Sequence, residues 1–406
     1  MLRHTLSALA CGLCLCSTSQ AGIFDLDASM NGITEQRSFD SLQDGIDLYQ
    51  QQNLSQLFGG AYTGSEAVSS TLNVRGLPVN LAFPTTGSST LVFTIPVLGI
   101  NESFTGSTRD ASVDLWEDYL KHNPDLLERM MKKMVEVSPV DPVAGNPNSM
   151  MSRGVVADSQ AMWGGSGNGW REGGNNRVGI GVSYARMLSS ARGDAKEMDS
   201  DTLTLPLEYS HQFAEPNHEL LISMPLTYTE ADNSKIYDGK LGIFYRRPLQ
   251  DNWVVSVAGS FYATGSPDLL TASYMASAAI ASSYVWSGTD WSLTMGNFIG
   301  YYTALRTSYD GTSINPGIAN TVFRNGLLYS TLSNWVVDGD PLFWECYAVN
   351  TYFTGTDLFT QYQNDIGITI GTRRPMHSKE ADYRLGLSYT FGSDVQAFKF
   401  NFGTWF

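Results

Sequence analysis

From about Asn176 to the end of the chain, apolar and polar residues alternate one by one. Val178, Ile180, Val182 and Tyr184 interleave with Gly179, Gly181, Ser183 and Ala185. Leu203, Leu205, Leu207 and Tyr209 interleave with Thr204, Pro206, Glu208 and Ser210, and Ile222, Met224, Leu226 and Tyr228 follow the same rule. Successive side chains of a strand point to opposite faces, so each segment carries one greasy and one polar face. The pattern predicts twelve strands, over 176–187, 201–212, 218–230, 237–247, 252–263, 271–286, 290–306, 319–332, 342–354, 361–372, 381–391 and 395–406. Two are less regular. Leu327-Leu328 breaks the alternation of the eighth, and Glu345 beside Trp344 leaves the facing of the ninth open.

A soluble sandwich would alternate as well. Here the polar partners are mostly Gly, Ser, Thr and Ala, and Tyr or Trp ends many apolar faces: Tyr184, Tyr209, Tyr228, Trp253, Trp291 and Tyr389. An apolar outer band between aromatic girdles, around a polar interior, suits a barrel in lipid. Such a sheet must close, because hydrocarbon offers no partner to an unpaired strand edge. Composition points the same way. Charged residues make up 16% of the chain, against about 25% in soluble domains. The net charge of −15 excludes nucleic-acid binding, which needs clustered positive charge. The fold class is therefore an all-β transmembrane antiparallel barrel of about twelve strands, preceded by a small α+β domain. Connections 188–200, 231–236, 264–270 and 307–318 fall at one end, and shorter turns at 213–217, 248–251 and 287–289 at the other. Near the end the lengths reverse, with 373–380 long and 392–394 short.

The chain closes on Ala397-Phe398-Lys399-Phe400-Asn401-Phe402-Gly403-Thr404-Trp405-Phe406. A terminal Phe preceded by hydrophobics at every second position resembles the C-terminal signature of Gram-negative outer-membrane β-barrels. The resemblance covers residues 176–406. It implies that the barrel-assembly machinery reads the last strand, with Phe398, Phe400, Phe402 and Phe406 as the matching residues; Thr404 departs from the aromatic usual there. Twelve strands are similar in size to autotransporter translocators, small sugar and nucleoside channels and an outer-membrane phospholipase.

The first half is another kind of chain. Arg3, an apolar stretch from Leu6 to Cys16 and Ser19-Gln20-Ala21 predict a secretory leader over 1–21. Three of the four cysteines lie in it, so the exported chain keeps only Cys346, has no internal disulfide and offers no cysteine-rich metal site. Residues 22–138 read as a small α+β domain, periplasmic or plugging the barrel. Ser38 to Gln52 is weakly helical, Leu72–Ala82 and Thr90–Ile100 are β-rich, Thr108 opens a helix running to His122, and Asn123-Pro124 caps another that Ser138-Pro139 stops. Met130, Met131 and Met134 form an apolar stripe that reads as core. Residues 139–175, with Asp141-Pro142, Asn146-Pro147-Asn148 and a Gly-Gly-Ser-Gly run, read as a linker that tethers the domain or threads the lumen.

No catalytic constellation emerges, and enzyme activity is unsupported. Ser210 and His211 are adjacent in a strand, so they face opposite sides and cannot pair. No metal or cofactor motif appears. Parity directs Glu208, Lys240, Arg246, Arg306, Asp365, Arg384 and Lys399 into the lumen. A barrel needs polar lining, so these charges serve first as paired structural groups; setting pore selectivity requires that they cluster. The leading expectation is an outer-membrane channel or transporter with an N-terminal periplasmic or plug domain. The alternatives are an autotransporter-like barrel anchor carrying a small N-terminal interaction domain, and an outer-membrane lipid-modifying enzyme. Expected partners are outer-membrane lipid, the assembly machinery through the last strand, and a small solute or periplasmic partner.

Overall fold

The computed structural model describes residues 24–39, 41–164, 176–190, 197–215, 217–231, 234–268, 271–309, 312–337, 340–372 and 382–405. The leader expected over 1–21, Phe406 and the connection 373–380 lie outside the described residues.

The N-terminal unit is a six-stranded antiparallel sheet of β1 (Phe24–Met30), β2 (Ile33–Phe39), β3 (Val68–Val74), β4 (Leu77–Phe83), β5 (Thr90–Ile95) and β6 (Ile100–Thr105), in the order β2-β1-β3-β4-β5-β6. Here alternation hides the apolar row. Phe24, Leu26, Leu72, Val79, Leu81, Phe93 and Ile95 are buried, while Asp27, Thr71, Asn80 and Thr94 face away. The buried row packs against α3 (Arg109–Lys121) and α4 (Pro124–Val137). Their caps are the ones the sequence indicates: Thr108 accepts from Ala111 N, and Asn123 from Leu126 N. Trp116 of α3 stands 5.9 Å from both Tyr49 and Phe93. The β-rich 72–82 stretch holds a hairpin bend, because Arg75 and Gly76 both take positive φ (53° and 94°) and reverse the chain between β3 and β4. The weak helix signal of 38–52 resolves into the end of β2 and two short helices, α1 (Leu42–Asp47) and α2 (Gln51–Leu57).

The barrel strands are β7 (Asn176–Ser189), β8 (Met198–Leu205 and Leu207–Gln212), β9 (Glu219–Ser223 and Leu226–Ala231), β10 (Ser234–Gln250), β11 (Trp253–Ser266), β12 (Thr271–Ser287), β13 (Trp291–Ala304), β14 (Ala319–Val337), β15 (Asp340–Gly355), β16 (Tyr362–Thr372), β17 (Asp382–Gly392) and β18 (Val395–Trp405). Each pairs antiparallel with its neighbours, and β18 pairs with β7 from Val395↔Ser189 to Trp405↔Gly179, which closes a twelve-stranded barrel. Strands β8 and β9 are each interrupted at the same height. Pro206 and Pro225 lie between the pairs Leu205↔Leu226 and Glu208↔Ser223, and proline has no N–H to give a ladder.

The outer wall is apolar. Ile280, Leu387 and Phe398 expose 56%, 58% and 54% of their surface. Exposed aromatics gather at both rims. Tyr209, Trp253, Trp286, Trp291, Trp344 and Tyr383 ring the end where β7 begins and β18 stops, here the terminal end. Tyr237, Tyr274, Tyr301, Tyr352 and Tyr362 ring the opposite, loop end. An apolar belt between aromatic girdles on a sheet without edges is the outside of a transmembrane barrel.

Of the two courses open to the 139–175 linker, its described part, 139–164, takes the one through the lumen, and it is packed rather than loose. Ser138, Asp141, Asn146 and Ser149 are buried, and residues Met150–Trp163 form a helix, α5, inside the barrel. Turn-forming residues here build a packed plug: Asp141 accepts from Val143 N and Ala144 N, and Asn146 Nδ2 donates to Asp141 O at 2.8 Å. Helix α5 meets a mixed inner face: Met151, Val155 and Met162 join Phe244, Met275 and Phe298 of the wall in one buried apolar cluster, and polar wall side chains meet it elsewhere.

Candidate functional site: the barrel lumen

Helix α5 starts at Ser149, whose Oγ accepts from Ser152 N, and ends at Gly164 in the left-handed conformation (φ 79°). Ser152, Gly154, Ser159 and Ala161 keep it slim. It lies against β10, β11, β12 and β13 rather than on the barrel axis. Gly154 makes that approach tight: a Cβ there would come within 2.6 Å of the Tyr262 ring.

Asp158, fully buried on α5, is the centre of the contact. Its carboxylate accepts from Ser260 Oγ (3.0 Å), Tyr302 Oη (2.7 Å) and Tyr262 Oη, and stands 2.6 Å from Lys240 Nζ. The ammonium makes no aligned hydrogen bond with a described residue, so its contact with Asp158 is an ion pair. It also sits 4.9 Å from the Phe244 ring centre. A buried carboxylate is tolerated only when paired and hydrogen-bonded, and five wall side chains, Ser277 included, serve this one. Higher on the helix, Arg153 pairs with Asp238 and donates to Thr229 Oγ1. Lower down, Trp163 Nε1 donates to Asn297 O at 3.2 Å, and Met162 O accepts from Ser256 Oγ.

The seven lumen candidates separate into distinct roles. Lys240 grips the helix. Arg246 pairs with Glu219 at 2.7 Å. Asp365 pairs with Arg324 at 2.8 Å and accepts from Thr390 Oγ1. Arg384 pairs with Glu345 at 3.2 Å, which also settles that Glu345 faces inward. Glu208 accepts from Ser223 Oγ, and Lys399 makes no ion pair or hydrogen bond with a described residue. Arg306 is a correction: β13 ends at Ala304, and Arg306 is exposed in the long connection beyond it, where strand parity no longer applies. Glu219, Asp238, Arg324, Arg153 and Asp158 lie in the lumen but are not among those candidates. Arg324 follows from parity once Leu327-Leu328 is read inside a continuous strand. The two helical charges had no strand to place them. Phe398, Phe400 and Phe402 point outward. Ser210 and His211 do face apart: Ser210 is buried against Glu219, while His211 Nδ1 is 2.7 Å from Asn176 Oδ1 on the outside.

Because α5 hugs one side, the described residues leave space along β7, β8 and β14 to β18. A cavity of about 680 Å³ reaches from mid-barrel to the terminal-end turns at Asn217 and Asp251. A smaller one of about 180 Å³ continues upward to Asn148 and Arg153. Gln160 of the helix and Ser183, Pro206, Glu208, Lys399 and Asn401 of the wall line both.

The N-terminal unit covers the loop end. Met187, Met198, Ala231, Ile236 and Ala397, at that rim, belong to the same apolar cluster as the core of the N-terminal sheet. Phe359 N donates to Val135 O, and Thr360 N to Gly145 O, both at 2.8 Å. A buried ion pair, Arg75 with Asp141, ties the sheet to the plug segment; burial holds the guanidinium pKa below its usual value and the carboxyl pKa above its own, each opposed by the partner's charge.

No protein-family model and no curated protein matches the chain. Among solved structures, it is similar to the translocator domain of the autotransporter NalP from Neisseria meningitidis, at 11% identity and TM-score 0.43, over 63% of this chain and 95% of that one. It is similar to the β domain of the Bordetella autotransporter Brka at 11% identity and TM-score 0.43, over 57% of this chain and 99% of that one. It is also similar to an outer-membrane channel from Pseudomonas putida F1, at 12% identity and TM-score 0.38, over 59% of this chain and 99% of that one.

Proposed function

We propose that the protein is an outer-membrane barrel anchor that holds its N-terminal domain at the cell surface. The observation that carries this reading is the course of α5. The helix descends through the lumen from the N-terminal domain at the loop end, so the domain and the C-terminal strand end occupy opposite mouths of one barrel. Outer-membrane barrels keep short turns on the periplasmic side and longer loops outside. The longest connection bounded by described strands, 305–318, lies at the domain's end. The apolar belt takes outer-membrane lipid as its partner, and the last strand offers Phe398, Phe400 and Phe402 to the assembly machinery. In this reading the Asp158 cluster fastens the domain to its anchor, and the protein's own helix takes up one side of the lumen expected from sequence.

Labelling of introduced cysteines tests the orientation. Asp118→Cys, on the exposed side of α3, reacts with a membrane-impermeant maleimide on intact cells, while Glu215→Cys, in a terminal-end turn, reacts only after the outer membrane is opened. The reverse pattern overturns the surface reading in favour of a periplasmic domain.

A further inference from the structure

We propose that the lumen holds a water-filled side passage beside α5, and that the N-terminal domain, rather than the helix, is its gate. The claim goes beyond surface display and holds for either orientation of the barrel. Three observations carry it.

First, the helix leaves the passage unfilled. The two cavities share seven wall and helix residues, Val156 among them, that form a waist, and the larger one runs from there to the terminal-end turns. Second, the passage is built to be wet. Its wall is lined by the Arg324–Asp365 and Arg384–Glu345 pairs, by Glu208 and by Lys399. The proline breaks add to this. Gly181 N donates to Pro206 O and Lys240 N to Pro225 O, both at 3.2 Å, but neither proline can return a bond to its partner's carbonyl. A strand carbonyl that faces proline lacks its ladder donor, and Gly181 lines the larger cavity and Lys240 the smaller one. Third, the passage stops where the N-terminal domain begins. At the loop end of β18, β7, β8, β9 and β10 an apolar patch interrupts the polar lining: Ala397, Met187, Met198, Ala231 and Ile236 pack into the domain's core above the smaller cavity. An apolar seal over a polar passage closes it, and lifting the domain opens it without removing the helix.

The permeant species are small hydrated ions. Selectivity is set at the waist, where Lys399 and Glu208 are the charges outside the ion pairs of the wall. Two opposite charges give weak selectivity, and changing one sign gives a biased pore.

The test is conductance of the full-length protein in planar bilayers, with fold checked by heat-modifiable migration in gels. The wild-type protein is expected to be closed, with rare openings. Ala397→Arg places a charge in the seal and is expected to give sustained conductance; Ile236→Glu serves the same purpose if A397R does not fold. Asp158→Asn loosens the helix, leaves the rim intact and is expected to stay closed. Adding Lys399→Glu to the open variant is expected to shift the reversal potential in a salt gradient toward the cation side. Folded rim variants that remain silent overturn the proposal. So does an Asp158→Asn variant that opens while the rim variants do not, or a reversal potential unmoved by K399E. The cysteine labelling is independent of all these readings, so failure of the gate and failure of surface display are told apart.

Discussion

The N-terminal sheet and the barrel wall use the same alternation and spend it in opposite directions. In the sheet, Leu72, Leu81 and Phe93 vanish beneath α3 and α4, and Thr71, Asn80 and Thr94 face away. In the barrel, Ile280, Leu387 and Phe398 face outward, and Ser260, Asp365 and Lys399 face inward. The difference decides what can hold each part together. The domain is held by apolar area, which is non-directional and spread over many side chains. The helix has an apolar footing as well, with Met151, Val155 and Met162 in one buried cluster with Phe244, Met275 and Phe298 of the wall, but at Asp158 it adds discrete polar contacts, where loss of a single group leaves its partner buried and unsatisfied.

Substitutions can break that comparison. The largest effects are expected at the centre of each region. Asp158→Ala strands Lys240 and should cost about 3–5 kcal/mol of helix docking, read as a lower denaturant midpoint and new protease cleavage between 150 and 163. Adding Lys240→Met should recover part of the loss, and a double change no better than the single one would mean that the ion pair is not the lock. Trp116→Ala should cost about 3–5 kcal/mol in the N-terminal domain, with the barrel keeping its heat-modifiable migration; simultaneous loss of both would show that the two regions fold as one unit. Next comes Ile280→Arg, on the outer wall at mid-strand. In lipid it should cost about 2–4 kcal/mol, whereas an exposed position in water would shift stability by no more than about 0.5 kcal/mol. Equilibrium unfolding in lipid vesicles distinguishes the two.

The smallest effect is electrostatic. The Thr63 hydroxyl and backbone N–H groups of Thr63 and Ser65 hold the Glu66 carboxylate pKa down at about 2, from an ordinary 4.5. A depressed acid stabilises the fold above its unfolded value and ceases to do so as pH falls through its folded one. The turn should therefore hold above pH 4.5 and loosen toward pH 2. The Glu66 carboxyl resonance followed by NMR through that window checks it, and a midpoint near 4.5 would show that the turn does not form.

The sequence by itself determined most elements with a regular period or a strong local signal, though β1, where Phe24, Leu26, Ala28 and Met30 alternate, was not among the strands expected. The alternation from Val178 to Phe402 specified twelve strands, their outward faces and most of the inward charges, because a strand's facing is a matter of parity. Thr108 and Asn123 marked α3 and α4, because a cap is a bond between residues three apart. Tertiary structure alone decided the rest. Met150–Trp163 is a helix, and its small side chains, its Asp158 and its Arg153 acquire meaning only against Tyr262, Lys240 and Asp238, dozens of residues away. Arg306 fell out of the lumen because its strand stopped two residues earlier, at a boundary no period marks. Which mouth of the barrel the N-terminal domain closes was likewise invisible, since that depends on a lumen wall matched to both the apolar and the polar side chains of a slim helix and on an apolar rim at Met187, Ile236 and Ala397 where the domain rests.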